Sequence, residues 1–100
     1  MKFFIGADLG TSSLKLLLTD VNGKIINSVT KDYPVSYPQS GWSEQNAEDW
    51  WTALKCGMPE LIKDINGSDV AGIGVAGQMH GLVILDDKDN VIRPVILWND

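Results

Sequence analysis

Apolar residues gather at the start of the chain into two short runs, residues 2–7 and 14–19, and the stretch from Asp8 to Ser13 between them is polar except for Leu9. Runs of this length, separated by turn-prone Gly, Thr and Ser, predict strand, turn, strand. The second run is interrupted only by Lys15 before its final Thr19. Asp20, Val21, Asn22 and Gly23 follow, and Asn-Gly is the strongest two-residue hairpin signal because both residues tolerate positive φ. A third strand over residues 24–33 then completes an antiparallel meander.

Residues 34–43, with Pro34, Pro38, Gly41 and Trp42, carry no period and predict a surface excursion whose aromatics are not left free in water. From Asn46 the pattern becomes helical. Asn46 can cap, Glu48 and Asp49 suit the positive end of a helix dipole, and Trp50, Ala53, Leu54, Leu61, Ile62 and Ile65 recur at helical spacing. The helix is expected to reach about Ile65, with a kink or break near Gly57 because Pro59 removes a donor and crowds the carbonyl four residues earlier. Asn66 to Asp69 closes it, and the Gly-punctuated apolar run 70–76 predicts a buried strand. After Gly77, Gln78, Met79, His80 and Gly81, residues 82–85 and 91–92 flank the polar turn 86–90 as a second hairpin, and residues 94–98 begin a further strand. A meander, a crossover helix, a return strand and a hairpin make a mixed α/β sheet with a helix packed on it.

Composition narrows the partners. One hundred residues, 44% hydrophobic, suffice for one small domain. A net charge of −5 argues against a sequence-independent grip on nucleic acid or an anionic membrane and favours a small molecule or a protein. Cys56, the single cysteine, forms no internal disulfide and reads as a small buried hydrophobe. With no secretory signal ahead of the first strand, a cytoplasmic location is expected. No apolar run is long enough to span a bilayer. Residues 95–100 form an apolar run with a polar finish and no tapering tail, so the chain reads as interrupted rather than finished.

The loop Gly10, Thr11, Ser12 and Ser13 offers a phosphate a flexible glycine, successive backbone N–H groups and uncharged hydroxyl donors. An adjacent carboxylate would repel that phosphate. Asp8 fits only with a hard cation between them, since Mg²⁺ takes one or two carboxylates together with phosphate oxygens and water. Lys15 can add positive charge. The same residues can instead satisfy only their own turn backbone, and neither the glycine spacing nor the Lys of a Walker loop is present. His80 taken alone is more often structural than ligand-binding, although Gly77 and Gly81 allow a close backbone approach at the end of a strand. Trp42, Trp50 and Trp51 read as packing residues without a catalytic role.

The segment from Ile5 to Ser13 resembles the first phosphate-binding hairpin of the sugar kinases in the actin, Hsp70 and hexokinase superfamily. It is particularly similar to the carbohydrate kinases that include glycerol kinase, gluconate kinase and xylulokinase. Trp42-Ser43-Glu44-Gln45 leading into Trp50-Trp51, the block from Ala76 to Gly81, and Ile96 to Asp100 extend the likeness over nearly the whole chain. Among these kinases the three blocks look like the xylulokinase branch, glycerol kinases having Arg-Glu where this chain has Met79 and His80. The resemblance implies a ribonuclease H-like, actin-like ATPase fold of which residues 1–100 are the N-terminal part of the first domain, without the second lobe. It implies an ATP- and Mg²⁺-dependent kinase that converts D-xylulose to D-xylulose 5-phosphate. Asp8 would be the catalytic and metal-side carboxylate; Gly10, Thr11, Ser12, Ser13 and Lys15 would serve the ATP phosphates; Met79 and His80 would contact the ketose, with Gln78 shaping their turn. The family's catalytic base lies past residue 100, and Asp100 in that role would break the pattern, so the chain alone is expected not to turn over ATP. Two alternatives stay open: a sister kinase acting on another sugar or polyol, and a non-catalytic nucleotide-binding module. An incomplete sheet would leave an apolar face and an edge exposed, so the isolated chain is expected to self-associate; the full-length parent is expected to be a homodimer.

Overall fold

The computed structural model describes residues 1–77, 83 and 85–97. Strands β1 (Phe3–Leu9), β2 (Ser13–Asp20) and β3 (Ile25–Asp32) form the expected meander. After the short strand β4 (Glu44–Gln45) and helix α1 (Ala47–Leu61), strand β5 (Val70–Gly77) returns parallel to β1, giving the order β3-β2-β1-β5. Two parallel neighbours need a crossover, and α1 supplies it. Strand β6 (Val95–Ile96) pairs antiparallel with β4 in a separate ribbon.

Strand alternation sorts the side chains onto two faces. Phe3, Ile5 and Ala7 of β1 and Leu14, Leu16 and Leu18 of β2 are buried in one core with Tyr33, Ala53 and Leu61. On the opposite face, Phe4 and Asp8 of β1 and Lys15 of β2 are exposed. Because α1 packs over β2 and β3, it leaves β5 bare on that side. The expectation of a buried return strand is therefore corrected: β5 is an edge strand among the described residues, and Ile73 and Val75 are 59% and 75% exposed. An uncovered apolar edge strand of this kind offers a template for pairing with another chain.

The turns differ in detail from the sequence reading. At Asp20 to Lys24 only Gly23 takes positive φ (+80°), so Asn22 and Gly23 do not form the tight two-residue turn. Instead Gly23 N–H donates to Asp20 O (3.1 Å), and Asp20 N–H donates to Lys24 O (3.0 Å). Asp20 Oδ1 accepts the N–H groups of Asn22 and Lys24 at 2.9 and 3.0 Å, which favours the longer turn. The second hairpin repeats this design: Leu85 bridges Val91, Asp86 Oδ1 accepts from Lys88 and Asn90, and Asp89 takes the left-handed position at φ 64°. Those backbone N–H donors hold the Asp86 carboxyl below its ordinary pKa. Asp89 occupies a conformation that costs an L-residue free energy, so Asp89→Gly is expected to stabilise the chain by about 0.5–1 kcal/mol. A urea midpoint that stays put or falls would contradict this.

The helix begins as expected. Asn46 caps it by accepting from Glu48 N–H at 3.0 Å, with Glu48 and Asp49 in the first turn. It does not break near Gly57; the helical run passes Gly57 and Pro59 and stops at Leu61, short of Ile65. Its end is set from outside: Asn27 Nδ2 of β3 donates to the free carbonyls of Leu61 (3.1 Å) and Glu60 (3.3 Å). A 3₁₀ turn at Gly67–Asp69, capped by Asn66, leads into β5. Cys56 is exposed, not buried, because it lies on the solvent side of α1 beside the buried Gly57. The excursion 34–43 does leave aromatics in water, with Tyr37 68% and Trp42 43% exposed.

Candidate phosphate-binding loop

The β1–β2 turn holds the loop proposed from sequence. Asp8 sits opposite Lys15 on β2 and beside Ala76 on β5. These three, with Gly6, Ala7, Leu17, Gly74 and Val75, line an open cavity of about 500 Å³ on the sheet. Gly6 and Gly74 are register partners, and a Cβ built on either would meet nothing within 4 Å, so the floor of the cavity stays flat. Neither an ion pair nor a hydrogen bond engages the Asp8 carboxylate among the described residues, and Lys15 is likewise unpaired.

The loop is fastened through its carbonyl groups. Gly10 N–H donates to Ser13 O at 2.9 Å, and a Cβ on Gly10 would lie 3.2 Å from that oxygen, a tight fit that suits glycine. Tyr33 N–H donates to Ser12 O at 3.0 Å. The Tyr33 hydroxyl shares its proton between Gly10 O and Ser13 O, the latter at 2.9 Å. Gln45 Nε2 donates to Thr11 O, and Gln45 Oε1 in turn accepts from Trp50 Nε1 at 3.1 Å. All four carbonyls from Gly10 to Ser13 are thus engaged by the protein. With no cis peptide bond, each N–H lies opposite the preceding carbonyl, so the N–H groups of Thr11, Ser12 and Ser13 face away from these anchors. The Thr11 and Ser12 amides have no acceptor among the described residues.

Burial, and then the negative charge of Asp8, push the Tyr33 hydroxyl up to about 12, so it remains a proton donor at neutral pH. Gln45 is 2% exposed and is held by the β4–β6 ribbon, where Leu97 N–H donates to Ser43 O at 3.0 Å and Arg93 pairs with Glu44. Sequence reasoning missed Tyr33 and Gln45. The meander register offered a signal for Tyr33, since pairing Ser13 with Asp32 places the residue just after β3 beside Ser12. Gln45 reaches Thr11 across 34 positions, and local pattern contains nothing of that contact.

The site that the sequence divides in two is only partly described. Asp8, Gly10, Thr11, Ser12, Ser13 and Lys15 converge at one end of the β1–β2 hairpin. Gln78, Met79 and His80, assigned to the ketose, lie outside the described residues. One carboxylate near amides able to receive a phosphate would suit Mg²⁺, which needs few protein ligands when phosphate and water supply the rest. No cluster of three or more His, Cys, Asp or Glu side chains able to hold a metal exists among the described residues, so Asp8 would be the protein's contribution from this part.

Among the described residues, the first hairpin of this mixed sheet thus carries two backbone amides without an acceptor and, shortly before them in the chain, an unpaired carboxylate. Residues 3–100 match the FGGY family of carbohydrate kinases, N-terminal domain, and the chain belongs to that family. It is 46% identical over 102 residues to the xylulose kinase of Bacillus subtilis, covering 100% of this chain and 20% of that protein. Its fold is similar to ligand-bound xylulose kinase from Lactobacillus acidophilus, at a TM-score of 0.93 and 34% identity over 100% of this chain and 20% of that one. It is equally similar to gluconate kinase from the same organism, at a TM-score of 0.92 and 34% identity over 99% of this chain and 20% of that one. The chain therefore spans about one fifth of these relatives' length. Among the described residues no helix is long and apolar enough to cross a membrane.

Proposed function

We propose that this chain is the phosphate-side portion of an ATP-dependent kinase that phosphorylates D-xylulose at its C5 hydroxyl. The observation that carries the phosphate assignment is the fastened loop, whose carbonyls are all engaged while the amides of Thr11 and Ser12 have no acceptor among the described residues. In phosphoryl transfer the protein's work is positioning and electrostatic stabilisation, and preformed N–H donors supply it without reorganising during the reaction. The amides of Thr11 and Ser12, the three loop hydroxyls and the Lys15 ammonium would neutralise and orient the terminal phosphates of ATP. Asp8 would hold Mg²⁺, which when bound draws charge from the phosphate oxygens. The sugar assignment draws on the likeness to xylulose kinases, with Met79 and His80 as ketose contacts, Gln78 as their neighbour, and a cytoplasmic setting for the reaction.

A second reading, a sister kinase for another sugar, is favoured by the comparable likeness to gluconate kinase. Assaying the complete protein with MgATP against D-xylulose, D-ribulose, gluconate and glycerol separates the two. D-Xylulose is expected to give the highest kcat/KM, with phosphorus NMR placing the new ester at C5. A preference for any other acceptor would replace the assignment by that substrate. The 100-residue chain by itself, about one fifth of its relatives' length, is expected to show no xylulose-dependent ATP hydrolysis.

A further inference from the structure

We infer that Tyr33 and Gln45 are positioning residues of the phosphate loop, acting as a two-point clamp on its carbonyls that fixes the direction of its amides. The inference rests on the phosphate-site reading above and adds to it the origin of the loop's preorganisation. A loop of Gly, Thr and two Ser has many accessible conformations, and a phosphate that had to order it would lose affinity to that cost. The clamp removes the cost in advance.

Three points favour the assignment. First, the anchors come from separate segments, Tyr33 just past β3 and Gln45 in β4, so the loop is held from outside as well as by its own Gly10–Ser13 bond. Second, both anchors are immobilised: Tyr33 is 7% exposed in the core, while Gln45 is 2% exposed and is oriented by Trp50 of α1. Third, peptide planarity converts an engaged carbonyl into an outward N–H on the next residue. Gln45 on Thr11 O thereby aims Ser12 N–H, and the Tyr33 hydroxyl on Gly10 O aims Thr11 N–H. Neither anchor reaches the ligand; each acts through backbone.

The test uses the complete protein with Tyr33→Phe, which removes one hydroxyl, and Gln45→Met, which keeps length and neutrality while removing the amide. Each is expected to lower kcat/KM for MgATP at least about tenfold, since small displacements of preorganised groups are costly. The inhibition constant for AMP, which lacks the terminal phosphates, and the KM for the sugar should stay within about twofold, because loosening the loop leaves sites elsewhere intact. General damage to the fold would shift all three together. Melting curves identify a variant that fails to fold, and Tyr33→Phe, as the milder change, then decides alone. MgATP kinetics unchanged in folded variants would overturn the clamp if Asp8→Asn is impaired. If Asp8→Asn is also unimpaired, the phosphate-site reading itself falls, and the clamp with it.

Discussion

On the function proposed above, Asp8→Asn in the complete protein is expected to lower kcat/KM for MgATP by about 10²–10³-fold, the usual scale for losing one electrostatic contact to a transferring group. Asparagine preserves size and removes the charge. In the folded chain the carboxylate is exposed and takes part in no hydrogen bond or ion pair among the described residues, so its removal should not destabilise the sheet. A negative group left unpaired beside a loop proposed to hold phosphate would weaken anion binding unless a cation intervenes. Removing it should therefore have opposite effects on metal-free and metal-bound nucleotide. ATP without Mg²⁺ should bind the variant as well as, or better than, the parent, while MgATP binds and reacts less well. Titrating activity against Mg²⁺ should move the half-maximal point upward and leave the sugar's KM unaltered. Kinetics within about threefold of the parent at limiting Mg²⁺ would remove Asp8 from the metal's shell.

Much of the scaffold was readable in the sequence because local patterns set it. The two apolar runs at the start of the chain mark β1 and β2 as strands, while the inward faces, Phe3, Ile5 and Ala7 on one and Leu14, Leu16 and Leu18 on the other, are seen in the fold. Asn46 marked the start of α1 through a cap spanning two residues. Less legible was whatever depends on contacts between distant segments. The helix was expected to continue to Ile65, but its end is held by Asn27, 34 residues before Leu61. The run 70–76 looked buried because it is apolar, yet its exposure depends on what lies over it, and α1 covers the other edge. Strand β4 is two residues long and pairs with β6 some fifty positions later, so no periodicity could announce it. At the site the same division holds. The loop residues and Asp8 lie close together in the sequence and local pattern singles them out, whereas the groups that bond the loop's carbonyls come from Tyr33, just past β3, and from β4.

Gly57 carries the second large expected effect, since Gly57→Leu should destabilise the chain by about 3 kcal/mol, at the upper end of ordinary overpacking. A Cβ at this position would sit 3.0 Å from Leu16 Cδ1 and 3.5 Å from Lys31 Cγ and Val29 Cγ1. Leu16 is 0% exposed, so its methyl has little room to retreat. The glycine thus lets α1 approach β2 and β3 closely, which also explains why a residue unfavourable to helices lies inside one. Gly57→Ala sets two effects of similar size against each other: a propensity gain of about 1 kcal/mol and the displacement of the Leu16 methyl. That variant should come out near neutral. The packing explanation is tested by combining substitutions. Leu16→Ala alone should cost about 3–5 kcal/mol through the cavity it opens. In Leu16→Ala/Gly57→Leu the new side chain enters that cavity, so the double variant should be more stable than the sum of the singles by about 1–2 kcal/mol. Urea unfolding of the four proteins measures this coupling. Additivity within about 0.5 kcal/mol would mean that Gly57 and Leu16 do not compete for the same space, and the close approach of helix to sheet would need another cause.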